Sequence, residues 1–81
     1  MASTETLESI RNLISTLFNV PVESVTASSS PKTIEAWDSM GQLTLILEME
    51  QEFGIEITHV RAQRMESVGA IADMIDEAKA G

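Results

Sequence analysis

The sequence has 81 residues, which suffices for one small domain over residues 1–81 with a single core. It contains no cysteine, which excludes disulfides and thiolate-held metals, and we expect no metal site. No apolar run approaches the roughly 20 residues that span a bilayer, and Met1–Glu8 lacks the basic-then-apolar order of a signal peptide, so we expect a cytoplasmic protein without a membrane span. Five Lys and Arg against 13 Asp and Glu give a formal net charge of -8. This charge opposes binding to nucleic acid or anionic membrane, and it either favours basic partner surfaces or simply aids solubility.

Apolar residues at helical spacing predict a first helix over about residues 4–18, capped by Ser3 or Thr4. They recur every three or four positions: Leu7, Ile10, Leu13, Ile14, Leu17 and Phe18. The Asn-Val-Pro segment at residues 19–21 ends this helix, because the residue before a proline is disfavoured in the helical region. A loop over about residues 20–37 follows, and loops of this length are usually functional or cross between distant helix ends. We expect four apolar side chains to pin it to the core: Val22, Val25, Ile34 and Trp37.

A second helix is predicted over about residues 39–53, with Gly54 as its left-handed cap. At about 100° per residue, its polar side falls in one narrow sector: Gly41, Thr44, Glu48, Gln51 and Glu52. Its apolar residues occupy the wide remainder: Met40, Leu43, Leu45, Ile46, Leu47, Met49 and Phe53. So wide an apolar arc indicates contacts on more than one side, which predicts the central helix of a bundle.

The rest of the chain predicts a short extended segment and two further helices. Ile55 and Ile57 alternate as two inward anchors, Thr58 caps a short helix over about residues 59–64, and Ser67 caps a last helix over about residues 68–79. The last helix directs five apolar residues inward: Val68, Ile71, Ala72, Ile75 and Ala78. The predicted fold class is therefore all-α, a small four-helix bundle of three main helices and one short helix with a long loop between the first two.

The tripeptide Asp38-Ser39-Met40 places a hydroxyl at the mouth of the second helix. Asp38 is a strong N-cap candidate whose side chain accepts from free N–H groups of the first turn, which leaves Ser39 as the first helical residue. A phosphate ester on Ser39 would lie against the positive end of the helix dipole. Most Asp-Ser pairs are plain helix caps, but this one also indicates a place where a group is attached.

With the residues around it, this tripeptide resembles the acyl carrier protein family, whose signature is Asp-Ser-Leu followed by a helix that ends in an acidic-Phe-x-x-Glu-Ile stretch. The likeness rests on Trp37–Met40 and on Glu50–Ile57. It extends more loosely to Val20–Val25 after the first helix and to Met65–Val68 at the start of the last. The resemblance therefore covers nearly the whole chain.

The resemblance implies a carrier and not an enzyme. A phosphopantetheinyl transferase would move 4′-phosphopantetheine from coenzyme A onto Ser39, with Asp38 aiding recognition, and the thiol of the arm would bear acyl groups as thioesters. Its other partners would be an acyl-loading ligase or acyltransferase and downstream enzymes of fatty acid, polyketide or another specialised acyl biosynthesis. We expect the protein to be a monomer. His59 is the only histidine and a catalytic triad is untenable, so we expect no catalytic residue.

We predict that five residues contact partner enzymes: Trp37, Met40, Thr44, Glu48 and Arg61. Trp37 is either such a contact or a loop anchor that buries its ring against the bundle. Gly41 and Thr44 stand where fatty-acid-type carriers commonly place acidic side chains, which disfavours recognition by general fatty acid synthesis enzymes. Arg61 and Arg64 form a small basic spot that tunes partner choice, contacts the phosphate of the arm, or pairs with nearby acids.

Two other functions fit the same residues. One is an aminoacyl or peptidyl carrier, as in nonribosomal peptide or D-alanine ligation systems, and the other is an unmodified helical adaptor, which has no need of the Ser39 hydroxyl. For a modified carrier, we expect the arm to swing out to a partner or to fold back between helices near Leu43, Ile46 and Ile71.

Overall fold

Over residues 3–80, four α-helices and one 3₁₀ turn make up the fold. The computed structural model describes residues 3–80, with the side chains of residues 3–79, so residues 1, 2 and 81 of the predicted domain lie outside the described residues. The helices are α1 (Thr4–Phe18), α2 (Ser39–Phe53), α3 (His59–Gln63) and α4 (Val68–Ala80), and the 3₁₀ turn is Val22–Ser24. The predicted all-α four-helix bundle is thereby confirmed. None of these helices combines the length and the apolar character needed to cross a membrane within the described part of the chain.

The first helix begins and ends at residues suited to each role. The Thr6 N–H donates to the Ser3 hydroxyl at 3.1 Å, so Ser3 is the N-cap and the alternative, Thr4, is not. Asn19 ends the helix in the left-handed region at φ 55°, a conformation that asparagine tolerates better than most side chains. The predicted bounds of this helix are confirmed.

The core is built mainly between α1 and α4, which form the most extensive contact between helices. From α1 it takes Ile10, Ile14 and Phe18, and from α4 it takes Val68, Ile71, Ala72, Met74 and Ile75. Each fully buried side chain of this size contributes about 1.5–3 kcal/mol relative to exposure. Four of the five inward residues predicted for the last helix are buried, and the fifth, Ala78, is half-buried.

A polar clasp joins the start of α1 to α4. The Asp76 carboxylate accepts from the Ser3 backbone N–H at 2.6 Å and from the Thr6 hydroxyl at 2.5 Å. The bond from Thr6 and then the bond from Ser3 stabilise the charged form, which lowers the pKa of Asp76 below its ordinary value. The clasp therefore depends on an ionised carboxyl group.

The second helix departs from its predicted role. Its bounds and its left-handed cap at Gly54, with φ 64°, agree with the prediction, but its only buried residues are Leu45 and Met49. Three apolar side chains are largely exposed: Met40 at 73%, Leu43 at 55% and Leu47 at 53%. The prediction of a central helix with contacts on several sides is therefore wrong, because much of its apolar arc is left uncovered by the other helices.

The segment after α2 matches its prediction closely. Ile57 is buried and Ile55 half-buried, which makes both of them inward anchors. The Arg61 N–H donates to the Thr58 hydroxyl at 3.2 Å, so Thr58 caps α3 as predicted. At the start of α4 the Ala70 N–H donates to the Ser67 hydroxyl at 3.1 Å, which confirms Ser67 as its cap.

An arginine on α1 holds the first half of the long loop. The Arg11 guanidinium donates to the backbone carbonyls of Val22 at 2.9 Å and Val25 at 2.6 Å. Val25, Ile34 and Trp37 belong to the buried core, which confirms three of the four predicted pins, whereas Val22 is only half-buried. Sequence reasoning assigned no role to Arg11, because its acceptors are backbone atoms that leave no signal in the sequence.

The start of α4 holds the middle of the same loop. The backbone N–H groups of Val68 and Gly69 donate to the carbonyls of Ser29 at 2.9 Å and Ala27 at 2.8 Å. First-turn amides have no partner within their own helix, so the loop supplies the acceptors that α4 lacks. The loop is thus tied to both core helices before it enters α2.

Candidate functional site

Asp38 caps α2 through both its side chain and its backbone. Its Oδ1 accepts from the Gly41 N–H at 2.9 Å, and its carbonyl oxygen accepts from the Gln42 N–H at 2.8 Å. Of the N–H groups in the first turn, those of Ser39 and Met40 therefore remain for solvent or a ligand. Ser39 is the first helical residue and is exposed, as predicted, so its hydroxyl is accessible at the positive end of the helix.

A close backbone contact fixes the approach of the loop to α2. A Cβ atom added to Gly41 would lie 2.3 Å from the Ala36 carbonyl oxygen and 3.0 Å from the Phe18 ring. Only glycine lets the loop lie so near the helix. Gly41, which the sequence places in the polar sector of the helix, is half-buried against the loop, so the absence of an acidic residue at this position has a steric cause.

Trp37 anchors the end of the long loop to the core, just before α2 begins. Its side chain is only 1% exposed, and its ring stacks on Phe18 with centroids 6.1 Å apart and planes 29° from parallel. Its indole N–H donates to the Gln42 Oε1 atom at 2.6 Å. The assignment of Trp37 to the partner surface is therefore wrong, and the alternative of a buried loop anchor is correct. Ser39 follows a buried anchor and begins a capped turn, so its backbone is held firmly.

An open depression of about 1050 Å³ lies beside Ser39. It is lined by Ser30, Pro31, Lys32, Trp37, Asp38, Ser39, Gln42, Met65 and Glu66. The long loop, the start of α2 and the connection before α4 all contribute. Sequence reasoning missed Lys32, Gln42 and Met65 as neighbours of Ser39, because no spacing pattern links residues on three separate segments.

Three of the predicted partner residues lie together on α2. Met40, Thr44 and Glu48 are exposed and follow one another at one-turn intervals along the helix. Leu43 and Leu47 are exposed on adjacent turns of the same helix. The exposed surface of α2 is therefore mainly apolar where it begins beside Ser39, and it carries the carboxylates of Glu48 and Glu52 farther along the helix.

The two arginines near α3 have different partners. Arg64 forms two hydrogen bonds to the Glu77 carboxylate, at 2.7 and 3.2 Å, and this pair lowers the pKa of Glu77 and raises that of Arg64. For Arg64, pairing with a nearby acid is confirmed. Arg61 is half-buried and donates instead to the Glu56 carbonyl oxygen at 2.6 Å. Its predicted part in partner contact stays a prediction.

His59 lies in α3, where its Nε2 atom is 3.2 Å from the side-chain nitrogen of Gln63. Within residues 3–80 no group of three His, Asp or Glu side chains comes close enough to hold a metal ion.

Comparisons with known proteins agree with this geometry. The family model described as the phosphopantetheine attachment site matches residues 8–75. A solved acyl carrier protein from Enterococcus faecalis is 34% identical, with 96% of this chain and 99% of that chain covered and a TM-score of 0.75. The chain belongs to the acyl carrier protein family. It is also similar to the holo acyl carrier protein of Nitrosomonas europaea, at 25% identity, 96% and 100% coverage and a TM-score of 0.84. An acyl carrier protein of Thermosynechococcus vestitus is 29% identical over 76 residues, which is 94% of each chain.

Membership of this family settles the general role of the protein. Acyl carrier proteins are carriers, not enzymes, and their cofactor is a covalent 4′-phosphopantetheine arm. In general they are modified by a phosphopantetheinyl transferase and interact with biosynthetic enzymes. The residues present fit such an arm, because the exposed Ser39 hydroxyl lies beside free first-turn amides and an open depression.

Proposed function

We propose that Ser39 bears the 4′-phosphopantetheine arm and that the protein carries acyl thioesters on it between biosynthetic enzymes. The observation that supports this assignment most strongly is the exposed Ser39 hydroxyl at the first position of α2, next to a cap formed by Asp38. A hydroxyl at this position is accessible to a transferase and contributes little to packing. Its modification therefore need not disturb the fold.

The attachment chemistry suits the charge distribution at the start of α2. The Ser39 oxygen displaces adenosine 3′,5′-bisphosphate from coenzyme A, forms a phosphodiester, and gives its proton to a base of the transferase. The new negative charge lies at the positive end of the helix dipole, near the N–H groups of Ser39 and Met40. Because the chain contains no cysteine, the arm supplies the only thiol. Cargo loading is then confined to the arm.

We infer that the enzymes acting on the arm dock on the exposed surface of α2. An enzyme that reaches Ser39 must approach the first turn of the helix, where Met40 is exposed, and the surface continues through Thr44 and Glu48. Its mainly apolar start fits a partner with an apolar patch, and Glu48 and Glu52 fit cations of the partner farther along the helix. We propose this chemistry for the phosphopantetheinyl transferase and for the loading ligase or acyltransferase, with Arg61 at the margin.

Incubation with coenzyme A and a broad-range phosphopantetheinyl transferase tests the assignment directly. We expect an intact-mass gain of one phosphopantetheine group in the wild type and none in Ser39→Ala. Ser30→Ala is the matched control, because Ser30 lines the same depression and its loss leaves the gain unchanged. A wild type that gains no mass, or a gain that persists in Ser39→Ala, would contradict the assignment.

One observation supports a specialised cargo. Gly41 cannot become an acidic residue without displacing the loop, and Thr44 donates its hydroxyl to the Met40 carbonyl oxygen at 3.0 Å, so the first half of α2 offers no carboxylate. This favours an aminoacyl or other non-fatty carrier as the second candidate function. The intact mass of the native protein, measured before and after hydroxylamine cleaves thioesters, reports the cargo. A native mass without an arm would favour the unmodified adaptor.

A further inference from the structure

We propose that the arm, when not delivering cargo, lies in the depression beside Ser39, with its phosphodiester paired to Lys32. This inference rests on the proposed attachment at Ser39 and adds a resting site for the arm. The ligand is the chain's own covalent group, which contains one phosphodiester, two amides and a thiol or thioester. The depression is open to solvent, and its volume of about 1050 Å³ leaves room for an arm attached at Ser39.

The charged side chains around the depression indicate which of them would contact the phosphodiester of the arm. Asp38 and Glu66 also line it, so a phosphodiester on Ser39 meets two carboxylates and one cation, Lys32. Among the described residues the Lys32 ammonium group forms no ion pair. Arg64, by contrast, is paired with Glu77. Lys32 is thus the cation available to a new negative charge at Ser39.

The remaining lining matches the rest of the arm. Gln42 accepts the Trp37 indole N–H through its Oε1 atom, which leaves its amide nitrogen as a donor for an arm carbonyl. The exposed Pro31 ring offers apolar surface for the methyl groups and the methylene segments, whereas Trp37 and Met65 line the depression as buried side chains. Phosphate, amide and aliphatic parts of the arm therefore each meet complementary groups.

The depression is a better site than the helix interior expected from the sequence. Ile71 is completely buried, so an arm that reaches it must first separate packed core residues. Leu43 is largely exposed and does not form a wall of an enclosed cavity. The depression is already open to solvent and needs no rearrangement. Because the arm is tethered, its effective concentration is high and weak contacts suffice to hold it there.

The test compares the apo and holo proteins after intact mass has verified attachment. We expect backbone amide shifts at Ser30, Lys32 and Glu66 and a methyl shift at Met65 in nuclear magnetic resonance spectra. The chain has one tryptophan and no tyrosine, so we also expect Trp37 fluorescence to change on attachment. In Lys32→Gln these changes are largely lost and the ³¹P resonance of the phosphodiester moves toward that of the free arm.

Lys79→Gln is the matched control, because it removes the same charge from a lysine that lies over the Phe53 ring, 5.8 Å from its centroid. It should keep all the shifts of the wild type. Shifts confined to residues 38–40, shifts at Leu43 and Ile71 instead, or an equal response in Lys32→Gln would overturn the resting site while leaving attachment intact. A missing mass gain would instead refute the attachment itself, so the two failures are distinguishable.

Discussion

Gly41→Ala tests the close approach of the loop to α2, because two effects of opposite sign compete at this position. In an exposed helix interior, the change from glycine to alanine stabilises by about 1 kcal/mol through helix propensity. Here the new Cβ atom would lie 2.3 Å from the Ala36 carbonyl oxygen, about 1 Å inside normal contact. That oxygen belongs to the backbone, so no side-chain rotation relieves the overlap.

The expected change in the free energy of unfolding is the balance between the steric overlap and the gain in helix propensity. Overpacking costs about 1–3 kcal/mol, and an overlap against backbone belongs at the upper end of that range. After the gain from propensity, we expect Gly41→Ala to lower the free energy of unfolding by about 2 kcal/mol. A domain of this size has only about 4–12 kcal/mol in total, and its melting temperature would fall by about 10 °C.

Urea denaturation followed by far-ultraviolet circular dichroism measures the effect, with the other helix-associated glycines as controls. Gly54→Ala meets no atom within 4 Å and should lose only about 1 kcal/mol, because its φ of 64° is unfavourable for alanine. In Gly69→Ala the added Cβ atom would lie 3.1 Å from the Ala27 carbonyl oxygen, and the free energy of unfolding should change little. If Gly41→Ala proves as stable as the wild type, the close approach is not real and the steric account of this glycine fails.

Three further substitutions probe the cap, the loop anchor and the clasp. Asp38→Ala removes the acceptor at the start of α2 and should lower the free energy of unfolding by about 1 kcal/mol in urea, whereas Asp38→Asn should lose much less. Trp37→Phe removes the hydrogen bond to Gln42 and leaves a small void, so we expect its denaturation midpoint to fall by the equivalent of about 1–3 kcal/mol. Asp76→Asn mimics the protonated acid that accepts from Thr6. The folded pKa of Asp76 is lowered, so its contribution is fully present above the ordinary pKa of 3.8 and is lost as the pH falls through the folded value. The stability gap between wild type and Asp76→Asn should therefore stay constant near neutral pH and narrow as the pH falls below about 4.

Each of these expectations has a result that contradicts it. Equal losses in Asp38→Ala and Asp38→Asn would mean that the acceptor does not matter. A Trp37→Phe variant with unchanged stability would show that the ring is not an anchor. A gap between wild type and Asp76→Asn that stays constant on acidification would remove the ionised carboxylate as the basis of the clasp.

The helix ends could be read from the sequence because cap chemistry is local. Ser3, Asp38, Thr58 and Ser67 each accept from an amide three residues ahead, and Gly54 takes the left-handed conformation in its own backbone. These interactions involve only neighbouring residues. The identity of the attachment serine was inferred from the same local pattern, and its exposure agrees with that inference.

The interior arrangement could not be read in this way. The apolar pattern of α2 indicates which of its residues are hydrophobic but not which of them another helix covers. Leu43 and Leu47 were therefore expected to be buried, and they are exposed. Gly41 gave no signal, because its close neighbour is a carbonyl oxygen of the loop and the path of that loop depends on distant contacts. For Trp37, burial could be weighed against partner contact but not decided. Its acceptor, Gln42, follows it by five residues across a helix start.

The one-sided attachment of α2 has a consequence for motion. With only Leu45 and Met49 fully buried, this helix has fewer core contacts to break than α1 or α4. We expect its amide protons to exchange with solvent through local opening while the α1–α4 pair remains protected. The segment that presents Ser39 can then adjust to enzymes of different shape at small energetic cost, while the rest of the domain stays folded during each encounter.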